Sequence, residues 1–403
     1  MTDRSILYAG AFARALAIGM VSVLIGLHLA RVGLTPSAIG VIVGAGLFGG
    51  GVAALLTTRY GDRFGRRRVL IALATLGALG GVVVAAGSTP WVLGVAAFLG
   101  MLNGMGRDRG ASLILDQVIL PATAADAGRT RLFAIYNVVQ DSGHALGGLC
   151  AGLPSLFERA AGVDPDTAFR GAIGLYAAIL ALTALLYRRL SPEVEPRAAE
   201  RPRPLAPESR RRLARIASLF AVDSLAGGFL TSALLAVFLH ERFGAGEAAI
   251  GALFFGARAA NALSHIAAAW IARRIGLVNT MVFTHIPSSL LLMTVPVAPS
   301  FPVAAALFLL REGLVEMDVP TRQSYVMAIF PPEERTTASG VTHLVRLLAW
   351  SVAPSFAGAL MQGVSMGTPL YVGAAMKIGY DVLLWTAFRR LPPPEERRAA
   401  PPA

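Results

Sequence analysis

Apolar segments of about twenty residues recur along the whole 403-residue chain, and this recurrence constrains the fold more than any other feature. A helix of that length crosses the hydrocarbon core of a bilayer. Backbone groups find no water there, so each crossing segment must satisfy its own hydrogen bonds as a helix. The sequence therefore predicts an all-α integral membrane protein.

Twelve such segments can be placed, and they predict twelve transmembrane helices. The predicted spans are residues 5–30, 37–58, 69–88, 91–113, 131–155, 167–188, 213–239, 247–271, 277–297, 301–320, 336–362 and 366–388. Span four is the least regular of them because Arg107, Asp108 and Arg109 interrupt it.

The composition argues against a soluble enzyme. Only 15% of the residues are charged, whereas about 25% are charged in an average soluble protein. The single cysteine, Cys150, excludes an internal disulfide and offers no zinc-site spacing. The sequence contains no phosphate-binding Gly loop and no nucleophile–base pattern, so we expect no enzyme activity, no cofactor and no metal site.

The chain divides near its middle. The stretch at 191–212 is rich in Pro, Arg and Glu and cannot build a core, which predicts a cytoplasmic linker. It separates an N-terminal six-helix bundle at 1–190 from a C-terminal six-helix bundle at 213–390, and residues 391–403 are expected to be disordered. Segments of the two halves resemble each other at similar offsets, which is typical of transporters with a substrate site between the halves.

The distribution of arginine predicts the orientation. If both termini are cytoplasmic, the loops on the opposite side hold only Arg31, Arg159, Arg170 and Arg242. This bias predicts a multi-pass protein of the plasma (inner) membrane with both ends in the cytoplasm. The net charge of +12 then serves topology and acidic lipid headgroups rather than nucleic acid. We expect a monomer.

The turn after span two, RYGDRFGRRR, resembles the loop signature of the major facilitator superfamily. The matching residues are Asp62, Arg63, Gly65, Arg66, Arg67 and Arg68, while Thr58 replaces the first Gly of the pattern. The resemblance implies two six-helix bundles and transport by alternating access. It also implies a cytoplasmic gate in which the arginines pair with a carboxylate across the halves. The alternative is that they only anchor the loop at the headgroups.

A second resemblance lies in span five. Gly143, Gly147, Gly148 and Gly152 resemble the Gly-rich helix-five motif of proton-coupled drug exporters, without the usual Pro. This resemblance favours export. Small residues also let membrane helices approach closely, so ordinary packing is the alternative interpretation.

Charged residues near the middle of the spans are candidates for the substrate and coupling cavity. They lie about 15 Å deep, where an isolated charge costs at least about 2.5–3.5 kcal/mol and must face water or a partner. The candidates are Arg14, Asp141, Asp223, Arg258, Arg311, Glu312 and Arg346. Lys377 is equally deep on span twelve, which is expected to face outward, and a pair with Asp381 one turn away explains it.

These residues suggest what the cavity does. A carboxylate there can take up and release a proton, and Asp223 is the first candidate because its own segment offers no cation. The alternative is a structural ion pair with Arg258, Arg311 or Arg346. Cations outnumber anions in the set, which favours an organic anion or zwitterion as substrate. The alternatives are an antiporter for lipophilic cations, an uncoupled facilitator and a non-transporting ligand sensor.

Closer to the cytoplasmic side, two segments look like counterparts because each ends a helix at a Pro. They contain the candidates for an inner latch that works with Asp62. The latch candidates are Arg107, Arg109, Asp116, Asp318 and Arg322.

Overall fold

The computed structural model describes residues 2–108, 110–122, 129–195, 206–317, 330–331 and 334–388. These residues form helices and connecting turns, with no β-strand among them. The first part of the chain forms α1 Asp3–Arg31, α2 Pro36–Phe64, α3 Arg66–Ala86, α4 Pro90–Gly100, α5 Ala111–Ala122, α6 Arg129–Cys150, α7 Leu153–Ala161 and α8 Pro165–Tyr187. The second part forms α9 Pro207–Gly228, α10 Ser232–Phe243, α11 Glu247–Ile275, α12 Leu277–Thr294, α13 Phe301–Val315, α14 Arg335–Gly363 and α15 Thr368–Phe388.

Each predicted apolar segment overlaps one of these helices, and the prediction of an all-α membrane protein is confirmed. Seven spans within the described residues are long and apolar enough to cross a bilayer, judged by length and composition. Span four is divided into α4 and α5, and span seven into α9 and α10.

Local sequence signals set several helix starts. The side chains of Thr2, Thr35, Asp164 and Thr231 each accept a hydrogen bond from a backbone N–H in the first turn of the helix that follows. Such caps satisfy amides that have no partner inside the helix. The cap at Thr231 starts α10, so the interruption of span seven is encoded locally.

The interruption of span four begins at Met101, whose φ of 52° is left-handed. Helix α4 ends one residue earlier, and α5 begins only at Ala111. Non-helical backbone at membrane depth must find its hydrogen bonds inside the protein. Asn103 supplies two of them: its Nδ2 donates to the carbonyl of Arg107 at 2.6 Å, and its Oδ1 accepts from the amide of Met105 at 2.9 Å.

Two further carbonyls of this interruption accept hydrogen bonds from the start of α10. The amide of Ala233 donates to the carbonyl of Gly104 at 3.1 Å, and the hydroxyl of Ser232 donates to that of Met105 at 3.1 Å. The breaks in spans four and seven are therefore joined by hydrogen bonds, although they lie in different halves of the sequence.

The helices group into two compact units. Unit 1 contains Met1–Ala199, Leu230–Phe255 and Ser351–Met366, and unit 2 contains Glu200–Phe229, Gly256–Trp350 and Gly367–Ala403. These boundaries differ from the halves of the sequence because α10 and parts of two later helices pack with the first half. The six-helix bundles at 1–190 and 213–390 thus stay a prediction from the sequence repeat.

Glycines explain how unit 1 joins segments of both halves. A Cβ added to Gly26 would lie 2.2 Å from the carbonyl oxygen of Ala233, and one added to Gly40 would lie 2.2 Å from that of Pro354. One added to Gly358 would meet the carbonyl oxygen of Pro36 at 2.3 Å. Backbones approach this closely only where both helices lack side-chain bulk, so a larger residue would push these segments apart.

Candidate functional site

Arg14, on α1, is the centre of a buried ion cluster in unit 1. Its Nε donates to Asp108 Oδ2 at 2.9 Å, and its Nη2 donates to Asp116 Oδ2 at 2.5 Å. Its Nη1 donates to the hydroxyl of Tyr187. Arg14, Asp108 and Asp116 are 4%, 7% and 0% exposed. One guanidinium therefore binds two carboxylates away from water.

Two residues of α6 complete what we call the Arg14 cluster, which comprises Arg14, Asp108, Asp116, Tyr136, His144 and Tyr187. The hydroxyl of Tyr136 donates to Asp116 Oδ2 at 2.8 Å. The backbone N–H of Asp108 donates to His144 Nε2 at 2.8 Å. A ring nitrogen that accepts a hydrogen bond bears no proton, so His144 is neutral in this arrangement. Asp116 Oδ1 is buried and has no hydrogen-bond partner among the described residues.

The cluster differs from the predicted grouping. Asp116 is a latch candidate in the sequence analysis, yet it binds Arg14 of the predicted cavity set. Asp141, also a cavity candidate, is exposed on α6. Arg107 is half-buried in the interruption of span four, and Arg109, Asp318 and Arg322 lie outside the described residues. Depth in the span identified Arg14, but the sequence analysis missed its carboxylate partners.

A second buried network lies in unit 2, and we call it the Lys377 chain. The Nζ of Lys377 donates to Asp223 Oδ1 at 3.0 Å and lies 3.1 Å from His285 Nε2. On the other side of the ring, His285 Nδ1 lies 3.0 Å from Asp381 Oδ1. Arg346 Nη2 is 3.9 Å from Asp223 Oδ2. The Lys377 chain comprises Asp223, Lys377, His285, Asp381 and Arg346.

The Lys377 chain places two predicted residues with unexpected partners. The expected direct pair between Lys377 and Asp381 is not formed, because His285 lies between the two side chains. Asp223 has no cation nearby in its own segment, but α15 supplies Lys377 and α14 supplies Arg346. The structure therefore places the first proton-carrier candidate in an ion-paired environment.

The other cavity candidates of unit 2 lie on α11, α13 and α14. Arg311 contacts Glu312, and Asn261 Nδ2 donates to Glu312 Oε2 at 2.6 Å. Arg346 Nε donates to the hydroxyl of Ser224 at 3.0 Å, and its guanidinium lies 4.7 Å from the ring centroid of Trp350.

Burial divides these unit 2 candidates into two groups. Asp223, Arg311 and Glu312 are buried, whereas Arg258 and Arg346 are half-buried. The sequence count of excess cations leaves out Asp108, Asp116 and Asp381, which the structure places beside predicted cations or their partners. A net positive set is thus not the basis for choosing a substrate. The half-buried Arg258 and Arg346 are a more direct basis for a proposal about the charge of the substrate.

No group of three or more His, Cys, Asp or Glu side chains that could hold a metal ion is found in the part of the chain that the structure describes.

The sequence model of the Major Facilitator Superfamily matches residues 7–315 and 216–403. The chain belongs to the major facilitator superfamily. It is also 26% identical over 420 residues to the uncharacterized membrane protein YJR124C of Saccharomyces cerevisiae, an alignment that covers 96% of this chain and 94% of the yeast protein.

Solved structures of superfamily transporters share the fold. The nucleoside transporter NupG has a TM-score of 0.77 at 15% identity, with 96% of this chain and 100% of that chain covered. The D-xylose-proton symporter has a TM-score of 0.70 at 15% identity, covering 95% and 96%. The human organic anion transporter MFSD10 has a TM-score of 0.62 at 18% identity, covering 94% and 98%. Such low identities show the fold alone. Together with the family, they identify a membrane transporter rather than an enzyme.

The superfamily loop signature lies at the turn between α2 and α3, where Gly65 has a φ of 93°. Asp62 Oδ1 accepts from Arg66 Nε at 2.7 Å, one helical turn away. Arg63 and Arg68 are exposed, and Arg67 is half-buried. The loop therefore presents Arg63 and Arg68 on its surface, whereas Arg66 binds Asp62 within the same turn.

The N-terminus of α3 in this superfamily member is capped by Glu195, which the sequence analysis assigned only to the linker. Glu195 Oε2 accepts from the amide of Arg66 at 2.7 Å, and Oε1 accepts from that of Arg67 at 3.3 Å. A carboxylate is favourable there because the helix N-terminus bears a partial positive charge. Asp3 holds the same linker segment through the amide and hydroxyl of Ser191.

The glycines of span five have a packing role. A Cβ added to Gly147 would lie 2.2 Å from the carbonyl oxygen of Leu16, and one added to Gly143 would lie 2.8 Å from that of Phe12. Both contacts join α6 to α1, the helix of Arg14. Close packing therefore accounts for these two glycines, and a connection with export stays a prediction.

Proposed function

We propose that this superfamily member is a proton-coupled secondary transporter that exports a small organic anion or zwitterion by alternating access. The observation that supports it most is the Arg14 cluster, in which a lone arginine binds two buried carboxylates. Ionisable groups within membrane proteins are costly, and they typically mark substrate sites and proton pathways.

The substrate class is supported by the half-buried arginines of unit 2. A guanidinium can bind a carboxylate through two parallel hydrogen bonds. Arg346 lies beside the indole of Trp350, so an organic group attached to that carboxylate would have an aromatic surface to pack against. One solved neighbour, MFSD10, is named an organic anion transporter.

Proton coupling is supported by the buried carboxylates, since they lie where a proton can change the local charge. A neighbour of similar fold is named a D-xylose-proton symporter, so this architecture is compatible with coupling. Export is supported by the glycine pattern of span five. Under this proposal the chain acts as a monomer in the plasma (inner) membrane. Both termini are cytoplasmic, and the bundles at 1–190 and 213–390 move about a central substrate site.

The test is solute-driven proton movement in liposomes that contain the purified protein and a trapped pH indicator. Glutamate, a dicarboxylate, uridine and tetraphenylphosphonium are added in turn, and the internal pH is recorded. We expect proton movement with the first two solutes, reduced at least tenfold by Arg346→Gln and unchanged by Arg159→Gln. Transport without proton movement would instead indicate a facilitator, and a response to tetraphenylphosphonium alone would indicate a cation exporter.

A second arm tests direction. An alkaline or acidic interior is imposed on liposomes of known protein orientation, and accumulation of labelled glutamate is followed. Export predicts that solute leaves the cytoplasmic side of the protein against its gradient when protons flow toward that side. Accumulation toward the cytoplasmic side under the same gradient would contradict export.

A further inference from the structure

We propose that Asp116 Oδ1 is the proton-binding atom of this transporter, and that the interruption of span four links its protonation to the contact with α10. The inference rests on the proposed proton coupling and assigns it to one atom. It also assigns Asp116 a role other than the latch that its sequence position suggests.

The first step is the charge of the Arg14 cluster. Two carboxylates, Asp108 and Asp116, face one guanidinium, and the remaining polar groups that face them are neutral. Among the described residues, the uncharged side chains that hydrogen-bond to these three residues are Tyr136, His144 and Tyr187. With both carboxylates ionised, the contacting groups sum to one negative charge at a site that is at most 7% exposed. An unbalanced buried charge is strongly unfavourable, and one proton restores the balance.

The second step locates the proton. Asp116 Oδ2 already accepts from Arg14 Nη2 and from the hydroxyl of Tyr136. Asp108 Oδ2 accepts from Arg14 Nε, and Asp108 Oδ1 accepts weakly from the amide of Gly110 at 3.4 Å. Asp116 Oδ1 is the one of these four oxygens that lacks a donor among the described residues. A proton added there disrupts no existing hydrogen bond.

The third step compares this cluster with the Lys377 chain. In that chain Asp223 and Asp381 are matched in number by Lys377 and Arg346, and His285 lies between Lys377 and Asp381. Asp381 Oδ2 also lacks a donor among the described residues, but the two carboxylates of this chain are matched in number by its two basic side chains. The Arg14 cluster therefore has the stronger requirement for an added proton.

The fourth step is the connection to the rest of the fold. A protonated carboxyl is a weaker acceptor for a guanidinium. Proton binding at Asp116 therefore weakens its hydrogen bond with Arg14 and leaves Asp108 as the stronger partner of Arg14. Asp108 lies in the interruption of span four, and its amide is fixed by His144. The same interruption binds α10 through the carbonyls of Gly104 and Met105. Proton binding and this contact between the two sequence halves thus share one non-helical segment.

The test is infrared difference spectroscopy of the full-length protein in lipid nanodiscs, titrated from about pH 6 to alkaline pH, above the range in which exposed Asp and Glu side chains bind protons. Wild type is expected to show a protonated-carboxyl band that disappears as the pH rises. The band should be lost in Asp116→Asn and kept in Asp223→Asn and in Asp141→Asn, the matched exposed control on α6. A band that persists in Asp116→Asn, or one that is lost in Asp223→Asn, would overturn the assignment.

Tyr136→Phe keeps the assignment testable if Asp116→Asn does not fold. It removes one hydrogen bond to the ionised carboxylate, so the midpoint of the band should move to higher pH by about one unit. An unmoved midpoint would contradict the proposal.

For the link to α10, Ser232→Ala should also move the midpoint, whereas Ser218→Ala on the exposed face of α9 should not. Equal midpoints in wild type, Ser232→Ala and Ser218→Ala would refute the link.

A transport arm separates failure of the site from failure of the function. Glutamate-driven proton movement is compared for wild type and Asp116→Asn in liposomes. If wild type moves no protons with any solute while the Asp116 band titrates, the site stands and the proposed coupling fails. If wild type moves protons and Asp116→Asn moves them equally, the coupling stands and the site assignment fails.

Discussion

The Arg14 cluster and the Lys377 chain are both buried ion networks at membrane depth, but they differ in charge balance. The first contains one cation and two carboxylates, and the second contains two of each. A balanced network needs no added proton. An unbalanced buried network is stabilised by binding one, so the difference assigns proton coupling to the Arg14 cluster rather than to the Lys377 chain.

The sharpest test of this difference is Arg14→Met. It leaves Asp108 and Asp116 buried without a cation, and such a loss costs about 3–5 kcal/mol. We expect a large loss of thermal stability at neutral pH, with partial recovery at acidic pH, where both carboxyls can be protonated. Detergent-solubilised protein is measured by fluorescence-detected size exclusion after heating.

The control is the double variant Arg14→Met with Asp116→Asn, which has one fewer buried carboxylate. It should be more stable than Arg14→Met alone. A double variant that is less stable would mean that Asp116 contributes through packing rather than through charge.

The balanced network should respond less strongly. Asp223→Asn leaves Lys377 bound to His285 and leaves Arg346 half-buried and bonded to Ser224. We expect a loss of about 1–3 kcal/mol, measured as the shift in the thermal midpoint. A loss larger than that of Arg14→Met would reverse the proposed roles of the two networks.

The geometry of the Arg14 cluster also depends on how closely α1 and α6 pack. Gly147→Ala places a methyl group against the carbonyl of Leu16, which should cost about 1–3 kcal/mol. If the displaced α6 also weakens the hydrogen bond from Tyr136 to Asp116, the pH midpoint of proton binding should rise, in the same direction as in Tyr136→Phe. Gly174→Ala on α8 is the matched control, because an added Cβ there meets nothing within 4 Å. Equal thermal midpoints in the two variants would contradict the close contact.

The smallest expected effect lies at the turn between α2 and α3, far from either network in sequence. Glu195→Gln keeps one acceptor oxygen for the amide of Arg66 or Arg67, loses the second hydrogen bond and removes the charge at the helix N-terminus. The expected loss of about 0.3–1 kcal/mol should shrink at high salt. Thermal midpoints in low and high salt check it, with Glu193→Gln as the exposed neighbouring control.

Much of the fold follows from the sequence because the bilayer permits few alternatives. Apolar length placed the helices, and depth within a span identified Arg14, Asp223 and Lys377 as interior charges. The irregularity of span four was visible in its charges at 107–109. Its beginning at Met101 was not, because a left-handed methionine has no sequence signature and depends on hydrogen bonds from α10.

The partners of the interior charges were beyond the sequence. Spacing along one helix relates residues three or four apart, so it favoured Lys377 with Asp381 and grouped Asp116 with cytoplasmic residues. The observed pairs join different helices, and they depend on which helices are neighbours. Glu195 was missed for a related reason: a polar, Pro-rich segment offers no periodicity, so its contact with the start of α3 requires the tertiary structure.

Proton uptake per chain tests the central claim most directly. Purified protein in lipid nanodiscs is taken from alkaline to acidic pH in weak buffer, and the protons bound are counted with an indicator for wild type and Asp116→Asn. The account predicts that wild type binds about one proton more per chain, with Asp223→Asn matching wild type over the same range near neutral pH. Equal uptake by wild type and Asp116→Asn would contradict it.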